Sequence, residues 1–420
     1  MKNVVLISSL YRRDGPGSGT FEVYFRNLAA GLNGSAERAG LKAQVIPRSE
    51  SRRPVSAVDA AFAAPSFVSG NFRSALARFK RSMDIEAFIR AYSAELAAYS
   101  GLISGADIVH AHDTLSALAY GKVRNNAAAK LCFTPGYLSG LDRSGPVWPW
   151  LRKAEAQALG LADFLMVPGR GYLAALDKAY GPLTKSHVVL PGLDDVMHLR
   201  TGVLRRRLGV PDSALLAVSF YGPGDSSDAE FFLDAFAAAR SRVPDRLFGL
   251  ISGLKTSDIA DKIKALALED RVVLLEIDAH RWDVLAEADI LFSAFRSQSA
   301  DLGAIEAFRA GVAVVAADDG WNAEAAGYGE AALLFKSGDA AAASAALAEI
   351  AGQPPALIYF SAKAREYFKT QYTLEALSVR AADAYSEMAG EPVQAGQRMR
   401  GCRNKGLCRS DGQSAGQGSK

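Results

Sequence analysis

The sequence predicts an α/β chain made of two doubly wound parallel-sheet domains, and three observations predict it. Short apolar runs such as Val4–Ser9, Leu131–Thr134, Leu215–Phe220 and Ile290–Ser293 read as strands, and Val4–Ser9, which shows no alternation, as one buried on both faces. Stretches of helical spacing alternate with such runs on both sides of residue 195. The stretch Arg296–Val315 lays out one whole unit: a strand end, a tight loop, a short helix and a new strand. Asp301 suits a helix N-cap before Leu302, Gly303 and Ala304. Gly311 suits the left-handed conformation past a helix end, and Val312, Val314 and Val315 open the next buried strand. A helix N-terminus with glycine in its first turn brings backbone N–H groups close to phosphate, and Glu306, one turn in, can face the same crevice. Taken alone, the stretch is also an ordinary loop–helix–strand unit.

At 420 residues the chain has room for two α/β domains and a tail. It is 49% hydrophobic and 22% charged, as a globular protein is. A net charge of +3 is too small to argue for nucleic acid. No apolar run reaches membrane-spanning length. The opening MKNVVLISSLYRRDG reads as a first strand rather than a signal peptide, for it lacks a small-residue cleavage site. Cys132 falls on a predicted buried strand. Cys402 and Cys408 lie in the tail without a histidine nearby, which makes neither a zinc pattern nor a disulfide framework. A reducing cytoplasm is the compartment this suggests.

Along the chain, Val4–Ser9 leads into the Gly-rich loop Arg12–Thr20 and a helix over about Phe21–Gly31. The glycines fall at Gly15, Gly17 and Gly19, and the second strand, Leu41–Ile46, runs into Pro47-Arg48-Ser49-Glu50. That spacing and that ending fit a dinucleotide fingerprint poorly. Residues 48–75 show no period and read as an exposed insert, followed by a helix over about Ile85–Ser100. Ala106–Asp113 is a short strand ending in His110, His112 and Asp113. Histidines at the carboxyl end of a parallel strand sit where open sheets bind ligands, or are satisfied by loop carbonyls. Further strands and helices lead to Val188–Asp194, which closes the first half. Arg205, Arg206 and Arg207 read most simply as a solvated helix face. A Gly/Asp/Ser loop, Tyr221–Asp228, follows the first strand of the second half. An Ala-rich helix spans about Asp339–Ile350, and a Gly/Gln/Ser/Arg-rich tail from about Glu391 has the composition of a disordered segment.

Several segments recur in an order that resembles the retaining GT-B glycosyltransferases of family 4, to about residue 389. They are the Gly-rich loop before Asn27-Leu28-Ala29, Ala106–Asp113, Ala162-Asp163 with Val167-Pro168, and Leu190-Pro191-Gly192-Leu193-Asp194. Arg207–Pro211, Ala288-Asp289-Ile290, Ile305–Ala316 and Tyr372–Tyr385 complete the set. The resemblance implies a GT-B fold, two Rossmann-like domains facing across a cleft. Residues 1–194 would form the acceptor domain and 195–371 the nucleotide-sugar domain. Residues 372–389 would be a closing helix packing back on the first domain, with 390–420 a disordered tail.

The resemblance also implies roles. Glu306 would bind the ribose hydroxyls, with Asp301, Leu302 and Gly303 at the diphosphate and Gly17 and Gly19 in the first-domain cradle. His112 would face the donor sugar and acceptor, as a catalytic residue together with Gln298. Gln298 stands where the family has a glutamate; an amide still bonds a sugar hydroxyl but carries no charge. Gly222 and Ser227 fall where the family places an arginine and a lysine against the leaving diphosphate, and Pro135 stands in place of another histidine. Arg296, Arg13 and Lys255 are the basic residues to examine as replacements. No cofactor is implied beyond the nucleotide-sugar substrate, and no metal is required: there is no Asp-x-Asp pair near the cleft, and helix dipole and backbone N–H groups would stand in. Two functions remain open. One is an active retaining transferase that moves a hexose from a nucleotide-sugar to a glycan or lipid-linked acceptor. The other is a catalytically silent GT-B subunit that binds a partner glycosyltransferase or an acceptor chain. The basic tail allows contact with anionic lipid at the inner membrane face; a solvated tail is the simpler reading.

Overall fold

The computed structural model describes residues 2–8, 25–32, 41–46, 72–124, 129–135, 138, 149–183, 185–221, 227–243, 247–253, 256–275, 281–294 and 302–390. Within them the chain forms two six-stranded sheets in which every paired strand runs parallel to its neighbour.

The first sheet holds β1 (Lys2–Ile7), β2 (Leu41–Ile46), β3 (Ile108–Ala111), β4 (Lys130–Phe133), β5 (Phe164–Val167) and β6 (Ser186–Val188), in the order β2-β1-β3-β4-β5-β6. Strand alternation sorts its side chains onto two cores. Val5, Ile7, Val109, Leu131 and Phe133 face one cluster, covered by α2 (Phe72–Ala97), α4 (Thr114–Val123) and α6 (Arg170–Tyr180), which are separated along the chain by the short α3 (Ser100–Ser104) and by α5 (Pro149–Leu161). Val4, Leu6, Ile108, Cys132 and Met166 face the other, where α1 (25–32) supplies Phe25, Leu28 and Leu32.

The second sheet holds β7 (Leu215–Phe220), β8 (Leu247–Ser252), β9 (Val272–Leu275), β10 (Ile290–Ser293), β11 (Ala313–Ala317) and β12 (Leu333–Phe335), in the order β12-β11-β10-β7-β8-β9. One face packs Leu216, Val218, Leu291 and Val314 against α11 (Gly303–Ala310) and α14 (Pro354–Gln371). The other packs Ala217, Ile251, Phe292 and Val315 against α8 (Ser227–Arg240) and α13 (Ala340–Gly352), whose first turn is capped by Asp339. Helices α7 (Val203–Arg207), α9 (Thr256–Ala265), α10 (Arg281–Glu287) and α12 (Gly320–Ala325) fill the remaining connections. No described helix is long and apolar enough to cross a membrane.

The last helix, α15 (Leu374–Met388), leaves the second lobe and lays Leu377, Ala381, Tyr385 and Met388 into the core beside Val4 and Leu6. The crossing is pinned at Leu193, whose N–H donates to Tyr372 O at 2.8 Å and whose carbonyl accepts from Leu374 N at 3.1 Å. Gly192 makes this possible: a Cβ there would lie 2.6 Å from Thr373 O and 2.7 Å from Leu377 Cβ, closer than atoms can approach.

Two expectations need correction. The helix expected from about Ile85 begins at Phe72, so residues 72–75 of the expected insert are helical. In the segment FRSALARFKRSMD, Phe72, Leu76, Phe79 and Met83 recur at i, i+4, i+7 and i+11, the spacing of one helix face, so the sequence itself carries the helix back to Phe72. The expected solvated arginine face is wrong for Arg205, which is 1% exposed. Its guanidinium donates to the carbonyls of Glu287, Pro211 and Ala214, and to Asp289 Oδ2 at 2.7 Å. Arg206 and Arg207 are exposed, as expected. The tail from Glu391 lies outside the described residues.

Candidate active site

In an open parallel sheet the strand order reverses at one point, and the helices on either side diverge there to leave a crevice at the carboxyl ends of the strands. In the second sheet that point lies between β7 and β10, the strands that begin its two halves. A cavity sits there, lined by Ser219, Phe220 and Tyr221 at the end of β7, by Leu291 to Ala294 at the end of β10, by Arg281 and by Gly303. Ser219 ties the two strand ends together: its hydroxyl donates to Phe292 O at 2.8 Å and lies 2.6 Å from the Tyr221 hydroxyl. Burial pushes the Tyr221 phenol up, so it stays protonated.

Helix α11 points its N-terminus at this cavity through Gly303. Leu302 takes the N-cap position and its side chain makes no capping bond; Asp301, the expected cap, lies outside the described residues. The first N–H groups of a helix have no partner within it, so a helix end facing a crevice is a donor set for an anion. Gly311 ends the helix with φ 69°, in the left-handed region as its sequence position predicts. One turn in, Glu306 is 6% exposed, and its Oε2 lies 3.6 Å from Arg281 Nη1. The Arg281 guanidinium in turn lies 4.7 Å from the centre of the Phe220 ring.

Behind this pair, α11 is anchored to the linker between the lobes. Arg309 is 2% exposed, donates to Asp194 Oδ1 at 2.9 Å and stacks 3.5 Å from the centre of the Trp282 ring. Arg365 donates to Arg309 O and pairs with Asp195.

The lobes also meet at α12. The Glu324 carboxylate accepts from Arg170 N at 2.7 Å and from Gly171 N at 2.8 Å, so a side chain of the second lobe caps α6 of the first. Glu324→Ala is expected to speed hydrogen exchange of these two amides about tenfold, the size of one hydrogen bond to a charged group. Unchanged protection would show that the contact contributes nothing to holding the lobes.

Of the residues expected at the site, Leu302, Gly303 and Glu306 fall together on α11, and Gly303 lines the cavity. Ser227 is exposed at the first turn of α8. Gly17, Gly19, Gly222, Arg296, Gln298 and Asp301 lie outside the described residues, as do Arg13 and Lys255. His112 lies in the first lobe beyond β3, 3% exposed. Its ring centre lies 3.9 Å from that of His110, with the rings tilted by 36°, and it meets Phe25 edge-on at 4.7 Å. Burial, with His110 beside it, holds its pKa well below the usual value, so the ring is neutral. His110 bonds the Tyr385 hydroxyl at 2.6 Å and Thr134 Oγ1 at 2.8 Å, and burial lowers its pKa to about 3. Asp113 caps α4 through Ser116 N and accepts from the Ser8 hydroxyl. The cavity residues Arg281, Ser219 and Tyr221 were not among those expected. Arg281 opens a helix next to Trp282 after a strand, and its pairing with Glu306 leaves no trace in local spacing.

Residues 215–353 match the family model described as Glycosyl transferases group 1. The match spans β7 through the end of α13, and so contains the cavity, Arg281 and Glu306. The two parallel sheets and their helices have the GT-B glycosyltransferase architecture seen in solved structures of low sequence identity. Sucrose-phosphate synthase from Thermosynechococcus elongatus aligns with a TM-score of 0.67 at 17% identity, covering 93% of this chain and all of that one. HepE from Anabaena, solved with UDP and glucose, aligns with a TM-score of 0.62 at 15% identity, covering 92% of this chain and all of that one. A glycosyltransferase from Rickettsia africae aligns with a TM-score of 0.60 at 13% identity, covering 92% and 98%. A search of the curated proteins returned no match.

Proposed function

We propose that this protein is a retaining glycosyltransferase of the family 4 type, moving a hexose from a nucleotide-sugar to a glycan or lipid-linked acceptor. The observation that carries the reading is the N-terminus of α11 at the switch point of the second sheet, with the Glu306 carboxylate one turn behind it. On this reading the diphosphate lies on the first N–H groups of α11, and Glu306 accepts from the ribose hydroxyls. The group 1 match over these residues and the UDP-glucose complex of HepE support a uridine diphosphate donor. The acceptor attacks from the face the leaving group departs, and the departing phosphate takes the acceptor's proton, so configuration is retained. No metal is called on, because the helix end and backbone donors stabilise the leaving charge. The first lobe, residues 1–194, would hold the acceptor, and the protein would work in the cytoplasm, at the inner membrane face where the acceptor is lipid-linked.

One observation favours the second reading, a silent subunit that binds a partner glycosyltransferase. His112 is packed against Phe25 and His110 with 3% of its surface exposed, which suits a core histidine as well as a donor-facing one.

Calorimetric titration with UDP, GDP and their hexose conjugates separates the two. Wild-type protein is expected to bind a uridine conjugate at micromolar concentration, and Glu306→Ala to weaken it at least tenfold, about 1.4 kcal/mol, for the loss of charge-assisted bonds to two hydroxyls. An absence of binding to every nucleotide would reject the transferase and favour the silent subunit.

A further inference from the structure

We infer that Arg281 is the residue that receives the negative charge of the donor's diphosphate, an inference that rests on the nucleotide-sugar reading above. A diphosphate leaving group gains charge as the glycosidic bond breaks, and a site that releases it needs a cation or an equivalent donor set at that point. Among the described residues lining the cavity, Arg281 is the charged one. It shares that lining with Gly303, the first residue of α11, so guanidinium and helix end border the same space.

The way Arg281 is held suits this task. Its guanidinium sits over the Phe220 ring, 4.7 Å from the ring centre, a cation–π contact that holds the charge at the end of β7, and a guanidinium suits bidentate recognition of phosphate oxygens. Its separation from Glu306, 3.6 Å, is beyond a hydrogen bond. The two charges therefore attract at a distance that an incoming ligand can bridge, with ribose hydroxyls on the carboxylate and phosphate oxygens on the guanidinium. With 35% of its side chain exposed against 8% for Glu306, Arg281 is the partner with room to re-aim. It is the first residue of α10, a helix that packs on α11, so the backbone brings it to the same end as Gly303. The other arginine near Glu306, Arg309, is committed to Asp194 and Trp282 behind the helix.

The test compares UDP, UMP and uridine on wild-type protein, Arg281→Met and Arg281→Lys, by calorimetry at two salt concentrations. Arg281→Met is expected to weaken UDP about tenfold, to weaken UMP less, and to leave uridine unchanged; Arg281→Lys recovers part of the UDP loss. The salt dependence of UDP binding flattens in Arg281→Met, a change that a merely structural role would not produce. If Arg281→Met binds UDP as the wild type does, or loses uridine and UDP equally, the assignment to phosphate is wrong while the nucleotide site stands. If the wild type binds none of the three, the nucleotide reading fails and the assignment with it.

Discussion

Arg205→Met is expected to destabilise the second lobe by about 2–3 kcal/mol, the cost of taking charge-assisted donors from buried acceptors, while Arg200 still pairs with the two carboxylates. Arg205 holds three carbonyls and one carboxylate at once, on three separate stretches of chain: 211–214, Glu287 and Asp289. Glu287 also accepts from Thr201 N and Gly202 N, so α7 and the residues before it are seated on the end of α10 through this one network. Methionine fills a similar volume and supplies no donors. The Ala214 carbonyl would then lose its arginine donor in a buried site, where an unmet acceptor costs about 1–3 kcal/mol, while Glu287 keeps Thr201 N and Gly202 N and Asp289 keeps Leu216 N at 2.8 Å and Arg200 at 3.0 Å. Arg206→Met, one residue on and exposed, is the control and should change stability by no more than about 0.5 kcal/mol. Urea unfolding of the two variants measures both. Equal midpoints would mean that the arginine's bonds in the folded state merely replace equally good bonds to water.

Acid should weaken the first lobe more steeply than carboxylate titration alone predicts. His110 is fully buried between Tyr385 and Thr134, with its pKa held near 3 by burial. In the unfolded chain it returns to the ordinary value of about 6.5. Between those values the unfolded chain carries the extra proton, so lowering the pH favours unfolding. The stabilisation is therefore complete above about pH 6.5 and is lost progressively down to about pH 3. By linkage the loss from His110 is about 2 kcal/mol at pH 5 and about 3 kcal/mol at pH 4. His112 is shifted the same way and adds to it. A series of melting temperatures from pH 7.5 to 4 is expected to fall, and to fall less steeply in His110→Gln, which keeps a polar group but takes up no proton. Parallel curves for the two proteins would show that His110 is not held neutral.

Where structure is set by nearby residues, the sequence was readable. The helix at Gly303–Ala310, its end at Gly311 and the strand that follows are fixed by helix-end chemistry and by a run of valines, and all three occur where spacing places them. The strands Leu215–Phe220 and Ile290–Ser293 run as read, because burial on both faces writes itself as an unbroken apolar run. Arg205 was not readable. Its partner Asp289 lies 84 residues away, and nothing in the five residues of its own helix separates it from its two exposed neighbours. The Arg281–Glu306 pair escaped for the same reason. The resemblance located Glu306 but directed attention to basic residues in other loops, and the cation beside it comes from the helix after β9. Helix Phe72–Ala97 was seen only in its second half, although Phe72, Leu76, Phe79 and Met83 continue the helical spacing to its first residue; the four basic residues and two serines among them dilute the apolar signal there.

The route of the last helix bears on how the chain is made. The first lobe leaves the ribosome early, yet one face of its central sheet, with Val4, Leu6, Ile108 and Met166, is covered by residues of α15. At bacterial or eukaryotic elongation rates roughly 200 residues of second lobe must follow β6 before α15 emerges, a delay on the order of 10–40 s. During that time the nascent first lobe has one side of its sheet without its final cover, and His110 has not yet met Tyr385. Completion of the first half of the molecule is thus conditional on synthesis of the second. A chain that terminates within the second lobe leaves that apolar face exposed, the kind of surface that chaperones and proteases recognise.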